Sequence, residues 1–210
     1  MLKKISIAFF WLAFFGFFLY KLIPKYKYLS NDTLEHWGSN NVLDNSIFAL
    51  HIFAGIIVYC TGVLQFTPAI RNKYISFHRT TGKLYILSSL FCIATLFIMI
   101  LRTSCIPCRP SQFTVTSLWL LFTMLAYYFI RQRKIVTHKR MMINSFICAA
   151  YFVTIRVIDT FAMDVFYYLS PNEAMAFLAS DIFVWLVPLL LFNTYWLTKD
   201  KNKLSLKTVR

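Results

Sequence analysis

Six predominantly apolar stretches alternate with short polar and basic segments along the chain. They cover about residues 5–23, 46–66, 84–101, 113–130, 141–161 and 181–197. Since a transmembrane α-helix needs roughly 20 predominantly apolar residues, each stretch is long enough to cross a bilayer. The pattern predicts an all-α fold, a polytopic membrane helix bundle with six transmembrane helices.

Polar residues and prolines at the edges of these stretches predict where helices begin and end. Pro68 should end the second helix. Ser170 and Glu173 have the spacing of a capping box, with Pro171 at the first helical position, so the sixth helix should cover about 171–197. The first stretch has no small-residue cleavage site after its apolar core, which predicts a retained signal anchor.

Composition indicates that lipid surrounds this helix bundle. Of the 210 residues, 59% are apolar, and the mean hydropathy is +0.60. A soluble domain of that composition would expose large apolar areas to water. No linker rich in Pro, Gly or Ser divides the sequence, so we expect a single membrane domain over residues 1–210, with the lipid bilayer as its partner.

The basic residues predict the orientation of the helices. Sixteen of the 22 Lys and Arg residues fall in the ends and loops that share one side if six helices alternate in direction. The positive-inside rule makes that side cytoplasmic, so both the N-terminus and the C-terminus should lie in the cytoplasm of a multi-pass protein of the plasma (inner) membrane. The net charge of +14 is then a topology signal that also attracts anionic headgroups. We expect no nucleic-acid partner, because no recognisable nucleic-acid module accompanies the charge.

Two histidines at the predicted cytoplasmic face are the best candidates for a site. His78 precedes the third helix and His138 precedes the fifth, with Arg79 beside the first and Gln65 near the inner end of the second helix. Neighbouring cations and a helix N-terminus disfavour the imidazolium ion, so both imidazoles should be neutral and able to act as ligands. His51, in the outer half of the second helix, is a further candidate for an outer cofactor site.

Several ligands fit neutral imidazoles at this face, and the sequence leaves them open. Two histidines can bind haem b iron from both sides, hold a metal ion or hydrogen-bond a quinone carbonyl, and the surrounding cations suit propionate or phosphate groups. The histidines lack the spacing of a metal-ligand motif, so no specific metal site is predicted. The alternative is that the histidines and basic residues anchor helix ends at the lipid headgroups.

A second polar cluster is predicted in the outer half of the membrane. Arg156 lies at a depth similar to that of His51, Asp159 follows Arg156 by three residues, and Asp181 begins the sixth apolar stretch. A membrane-embedded arginine normally faces other helices and has a partner, so we expect an ion pair of Arg156 with Asp159 or Asp181. The pair either locks two helices together or receives a transported solute.

Small residues predict which helices approach each other. Gly55 and Gly62 share one face of the second helix, and Ser145 and Ala149 share one face of the fifth. Since glycine permits close helix packing in membranes, we expect these two faces to meet, with Gly62 near Ala149.

Three segments of the chain resemble a family of bacterial membrane proteins. They are His51-Ile-Phe-Ala-Gly55 with Thr61-Gly62-Val-Leu-Gln65-Phe66, then His78-Arg79 followed by Gly82-Lys83 and Tyr85, and finally His138-Lys-Arg-Met-Met142 leading to Arg156. The chain is similar here to the uncharacterised integral membrane proteins called domain of unknown function 2306. Met141-Met142 stands where relatives are expected to have Trp-Met. The resemblance implies a multi-helix membrane fold and supplies no agreed activity.

A Cys-x-x-Cys motif, Cys105 to Cys108, lies in the predicted outer loop between the third and fourth helices. In an oxidising compartment these cysteines can form a disulfide that stiffens the loop, or they can exchange thiols in a reaction that uses quinone. Cys60, Cys92 and Cys148 stand singly within helices and are expected to be packing residues.

Three function classes remain compatible with these patterns. The first is a membrane redox protein that binds haem b at the inner histidines, with quinone or another membrane redox protein as partner. The second is a transporter of protons or small solutes that uses the outer polar cluster, and the third is a non-catalytic assembly factor or sensor. Motifs of hydrolases and nucleotide-binding enzymes are missing from the sequence, so whether the chain is an enzyme at all stays open.

Overall fold

The computed structural model describes residues 16, 20, 42–103 and 105–208, and these are organised in helices. Seven helices are defined, and we number them α1 to α7. They are α1 (Val42–Phe66), α2 (Pro68–Lys73), α3 (Ile75–Arg102), α4 (Arg109–Arg131), α5 (Ile135–Phe161), α6 (Met163–Leu169) and α7 (Glu173–Thr208). No strand occurs within the described ranges, so the predicted all-α class is confirmed there.

Five helices are long and apolar enough to cross a membrane: α1, α3, α4, α5 and α7. They correspond to the second through sixth apolar stretches of the sequence. The first stretch, 5–23, falls outside the described residues except for positions 16 and 20, which are helical. The five candidate spans thus support a helical membrane protein and leave the sixth span a prediction.

Pairs of contacts define the directions of neighbouring helices. Near its two ends, α1 contacts α3 through Gln65 with Thr81 and through His51 with Thr95, so these two helices are antiparallel. The same reasoning makes α4 antiparallel to α5, because Ala126 contacts His138 and Thr123 contacts Ser145.

The predicted close approach of α1 and α5 is confirmed at one glycine and wrong at the other. The Tyr59 hydroxyl donates a hydrogen bond to the Ala149 carbonyl at 2.5 Å, and a side chain at Gly62 would overlap the ring of Phe146. Nothing lies within 4 Å of the position that a Cβ would take at Gly55. The contacts of α1 with α5 therefore lie in the C-terminal half of α1, at Tyr59 and Gly62.

Helix ends follow local backbone chemistry. Helix α1 ends at Phe66 because Pro68 forces Thr67 into an extended conformation with ψ of 112° and then begins α2, as expected for a proline at a first helical position. Helix α4 ends in a Schellman turn in which Arg133 takes a φ of 60°, while the Lys134 amide bonds the Phe129 carbonyl at 2.9 Å. This tight turn sends α5 straight back along α4.

The start of the last predicted helix differs from the sequence prediction, and a short helix precedes it. Helix α7 begins at Glu173, and its cap is Asn172, whose side-chain oxygen accepts the Met175 amide at 2.9 Å. Asn172 takes the capping role expected of Ser170 because the short helix α6 ends at Leu169 and Ser170 follows it in extended backbone. A helix of seven residues, such as α6, has too few turns for its apolar periodicity to be recognised in a sequence.

Candidate functional site

The two inner histidines occupy equivalent positions in their helices. His78 is the fourth residue of α3 and His138 the fourth residue of α5, since both helices begin several residues before their apolar stretches. Each backbone amide bonds the carbonyl of the residue that precedes its helix, Tyr74 or Lys134, at 2.9 Å. The histidines therefore belong to the first helical turn, where backbone geometry is regular.

The two helices are also parallel and in register at this end. The imidazoles of His78 and His138 interact electrostatically. Seven residues further along each helix, the Tyr85 hydroxyl lies 3.0 Å from the Ser145 hydroxyl. Because both pairs have the same offset, α3 and α5 run in the same direction, and the two histidines stand at equivalent positions along their helices.

A hydrogen bond orients the His138 ring. Its Nδ1 atom lies 2.8 Å from the carbonyl oxygen of Ala126 near the end of α4. A carbonyl only accepts, so Nδ1 carries the proton in this contact. In neutral imidazole the lone pair is then on Nε2, which is the arrangement found where a backbone carbonyl orients a ligating histidine.

The surroundings of His78 are held by Gln65. The Gln65 amide nitrogen donates to the His78 carbonyl at 3.1 Å and to the Thr81 hydroxyl at 2.6 Å, and its side chain is buried against Gly82. The Nδ1 atom of His78 is itself buried and has no hydrogen-bond partner among the described residues. Gln65 thus fixes the helix around an imidazole nitrogen that no described residue hydrogen-bonds.

Cations surround this inner end. His78 interacts electrostatically with Arg71 on α2 and with its neighbour Arg79. The Arg79 side chain is exposed, so it can reach an anionic group at the edge of the bundle without breaking an internal contact.

The predicted outer cluster is divided between two places. His51 contacts α3, where its Nδ1 atom lies 3.0 Å from the Thr95 hydroxyl and 3.4 Å from the Cys92 sulfur. Cys92 was expected to be only a packing residue, but its sulfur contacts the His51 ring. The spacing of residues along the sequence does not reveal this contact.

The acidic half of that cluster lies between α5 and α7. Arg156 pairs with Asp159 at 3.4 Å, and its side chain is 67% exposed, so this arginine lies at the bundle surface where the sequence had predicted an inward position. Asp181 is buried and accepts a hydrogen bond from the Tyr151 hydroxyl at 2.7 Å. It interacts electrostatically with both Arg156 and Asp159, while its Oδ2 atom has no hydrogen-bond partner in the described part of the chain.

A polar group in the middle of the bundle was not anticipated. The Ser145 hydroxyl lies 3.0 Å from the Tyr85 hydroxyl and 2.8 Å from the Thr123 hydroxyl, and all three residues are fully buried. Ser89 and Trp119 also face the Tyr85 hydroxyl. Single hydroxyls are common in transmembrane helices, so only the three-dimensional packing of α3, α4 and α5 brings them together.

The loop between α3 and α4 contains a disulfide between Cys105 and Cys108. Beside it, the Arg109 guanidinium donates to the Thr103 carbonyl at 2.9 Å. The loop joins the ends of the two helices without regular structure of its own.

The described residues contain no group of three or more His, Cys, Asp and Glu side chains placed to hold a metal ion. Among known protein families, the one described as "Predicted membrane protein (DUF2306)" has a model that matches residues 48–197. This range includes the inner histidines, His51 and the acidic cluster. No curated protein and no solved structure matches the chain.

Proposed function

Because the chain belongs to the family of predicted membrane proteins known as domain of unknown function 2306, we propose that it is a membrane redox protein with a two-histidine ligand site at its inner end. Haem b is the group that we propose for this site, with His78 and His138 as ligands. The observation that carries the proposal is the equivalent placement of the two histidines on the parallel helices α3 and α5.

The ring nitrogens support a ligand role. His138 commits Nδ1 to the Ala126 carbonyl, which leaves the lone pair of Nε2 for a ligand. His78 has a buried Nδ1 atom without a hydrogen-bond partner in the part of the chain that the structure describes. A buried polar atom costs free energy unless it is paired, so a bound group that satisfies the histidines would stabilise the fold.

The charges near the site suit the same ligand. Haem b carries two propionates, and Arg71 and Arg79 are the cations that act on His78. Gln65 contributes by holding the first turn of α3 in place. His51 lies at the other end of α1, in contact with Cys92 and Thr95, and would serve an outer site for quinone or for a membrane redox partner.

The topology that accompanies this proposal is a single membrane domain with six spans and both termini in the cytoplasm of the plasma membrane. It is supported by the distribution of basic residues and by the five described candidate spans. It places the inner histidines at the cytoplasmic face and the Cys105–Cys108 loop on the opposite side.

Absorption spectroscopy tests the redox proposal. The protein is produced in cells supplied with a haem precursor, purified in detergent, and compared before and after dithionite reduction. We expect a Soret band and an α band in the wild type, and their loss in His78→Ala and in His138→Ala. His36→Ala is the matched control, because His36 is the histidine of the sequence that is assigned to neither the inner nor the outer proposed site. A wild-type protein without haem bands after supplementation contradicts the proposal.

A second candidate function is transport of a small cation or a proton through the outer cluster. It is favoured by Asp181, whose buried carboxylate has one oxygen on Tyr151 and the other without a partner among the described residues. Ionisable residues within membrane spans commonly mark ion pathways. In proteoliposomes, Asp181→Asn should strongly reduce the uptake of protons or small cations. Asp164→Asn should not reduce it, because Asp164 is exposed. Uptake that is unaffected by Asp181→Asn excludes this role.

A further inference from the structure

An arginine is stacked on a tryptophan where α5 begins and α7 leaves its candidate membrane span. The guanidinium carbon of Arg140, in the second turn of α5, lies 4.3 Å from the centre of the Trp196 ring on α7. Arg140 also forms an ion pair with Asp200, the last residue of that span. Trp196 and Asp200 are four residues apart and so share one side of α7. These contacts hold a cation at the end of the span.

Two hydrogen-bond donors of this stack are not used within the described part of the chain. The Nε atom of Arg140 and the Nε1 atom of Trp196 are buried and have no hydrogen-bond partner among the described residues. Both groups can donate a hydrogen bond but cannot accept one. A buried donor without an acceptor costs free energy. A ligand that offers acceptor oxygens at this stack would therefore stabilise it.

The charges beside the stack favour an anionic ligand. The Lys199 ammonium lies 5.2 Å from the centre of the Trp196 ring and 5.7 Å from that of Tyr195. Lys199 is exposed, and the side chains of Arg140 and Asp200 remain 23% and 42% exposed. The ion pair thus lies at the edge of the bundle, where an anion from outside can compete with the Asp200 carboxylate.

The adjoining face of α7 favours a lipid as the source of that anion. Leu191, Tyr195 and Lys199 follow each other at intervals of four residues, so they lie along one face of the helix. Leu191 is 67% exposed and Tyr195 58% exposed. The order from leucine through tyrosine to lysine matches the order of acyl chains, interface and headgroups in a bilayer. A ligand at Lys199 can therefore extend its chains along this face.

We propose that Arg140, Trp196 and Lys199 bind the phosphate of an anionic membrane lipid, whose acyl chains lie along the exposed face of α7. Basic pockets between transmembrane helices are suited to such headgroups. The phosphate replaces Asp200 on the guanidinium, which turns toward it and brings Nε within reach of its oxygens. Lys199 neutralises the remaining charge. Free inorganic phosphate offers the same oxygens, but it makes no use of the exposed apolar face.

Native mass spectrometry of the purified full chain in detergent tests the site. The protein is titrated with phosphatidylglycerol or with phosphatidylcholine of the same acyl chains, and bound lipid is counted. We expect the wild type to bind phosphatidylglycerol at least several-fold more tightly. Lys199→Gln and Trp196→Phe should each weaken that binding at least several-fold, because they remove a charge and an N–H donor. Asp200→Asn should strengthen it, because the competing carboxylate is lost.

Further variants separate the site from general effects of charge and folding. Arg131→Gln is the matched control, because it removes an exposed arginine at the end of α4 that is not part of the site, and its affinity for phosphatidylglycerol should equal that of the wild type. Arg140→Gln should weaken binding at least several-fold. Thermal unfolding shows whether each variant is folded, and Arg140→Lys, which lacks the planar stacked group and its Nε donor, replaces Arg140→Gln if that variant does not fold.

Three results overturn the proposal. They are equal affinity of the wild type for the two lipids, unchanged affinity for phosphatidylglycerol in the folded Lys199, Trp196 and Arg140 variants, and displacement of phosphatidylglycerol by an equal concentration of inorganic phosphate, which would assign the site to a soluble anion. The proposal rests neither on bound haem nor on transport through the outer cluster. Haem spectra recorded on the same samples distinguish a failure of the redox proposal from a failure of the lipid site.

Discussion

Gly62 shows how strongly one residue can determine helix packing in this bundle. A Cβ there would overlap the Phe146 ring, which is in turn packed against Phe66 with ring centroids 5.2 Å apart and against Tyr59 at 6.3 Å. The ring cannot move aside without disturbing those neighbours. Glycine is therefore required at this position for steric reasons, and the close contact of α1 with α5 depends on it.

Substitution of Gly62 by alanine should destabilise the protein. Overpacking of a filled interior typically costs about 1–3 kcal/mol, so Gly62→Ala should lower the Tm in detergent. Gly55→Ala is the control, because its added methyl group meets nothing within 4 Å, and the Tm should not fall. The combined variant Gly62→Ala with Phe146→Ala should lose less stability than the two separate effects predict. Strict additivity would contradict a direct contact.

At this same scale, sequence reasoning found the residues of the inner end but not how they are held. His78, His138 and Gln65 were identified because charged or polar residues at the edges of apolar stretches are conspicuous. The hydrogen bond from His138 to Ala126 could not be predicted, since it depends on a turn in which Arg133 takes a positive φ. Arginine rarely adopts that conformation, and nothing in the sequence marks it.

At the scale of helices, polar pairs join α5 to α7. Asn144 and Asn193 exchange two side-chain hydrogen bonds at 3.2 and 3.1 Å. Toward the inner end, Arg140 forms an ion pair with Asp200 and lies over the Trp196 ring at 4.3 Å. These contacts fix how far α5 and α7 are shifted along each other and in which direction they run. Apolar side chains alone would not fix this in lipid.

The asparagine pair should contribute measurably to stability. Hydrogen bonds between transmembrane helices contribute about 0.6 kcal/mol on average and up to about 1.7. Asn144→Leu should lower the Tm because the side-chain amide of Asn193 then loses its hydrogen-bond partner on α5. The double variant with Asn193→Leu should recover much of the loss, and a double-mutant cycle in detergent measures the coupling. A coupling energy near zero would show that the two amides do not depend on each other.

The element-scale errors of sequence reasoning have a common cause. Helices α3 and α5 begin earlier than predicted, at Ile75 and Ile135, because apolar periodicity registers the membrane-embedded part and not the polar turns that precede it. The central group of Tyr85, Ser145 and Thr123 was missed for a related reason. Each residue is unremarkable in its own helix, and only the register of three helices reveals the cluster.

For the whole molecule, the composition and the alternation of apolar and basic segments were sufficient to predict a helical membrane protein. Five candidate spans are described where the sequence predicted its second through sixth helices. The orientation of the bundle in the membrane is set by the charges of its loops while the protein is inserted.

Reporter fusions measure that direction. Alkaline phosphatase fused after Arg109 should be active, because the disulfide loop is predicted to lie outside the cytoplasm. Fusions after Lys134 and after Arg210 should be inactive, and a fluorescent protein at Arg210 should fold and fluoresce. Replacing the basic residues of the α4–α5 turn with neutral ones should weaken this asymmetry. An active phosphatase at Arg210 would contradict cytoplasmic placement of the C-terminus.

The contacts between α5 and α7 also have a consequence for biogenesis. Asn144 and Tyr151 enter the membrane with α5, but their partners Asn193 and Asp181 are synthesised later, in the last helix. Until α7 arrives, these polar groups must stay within the insertion machinery or against a membrane chaperone, since lipid cannot satisfy them. A chain truncated before α7 would keep these polar groups unpaired in the membrane and should be degraded faster by membrane proteases than the chain that includes α7.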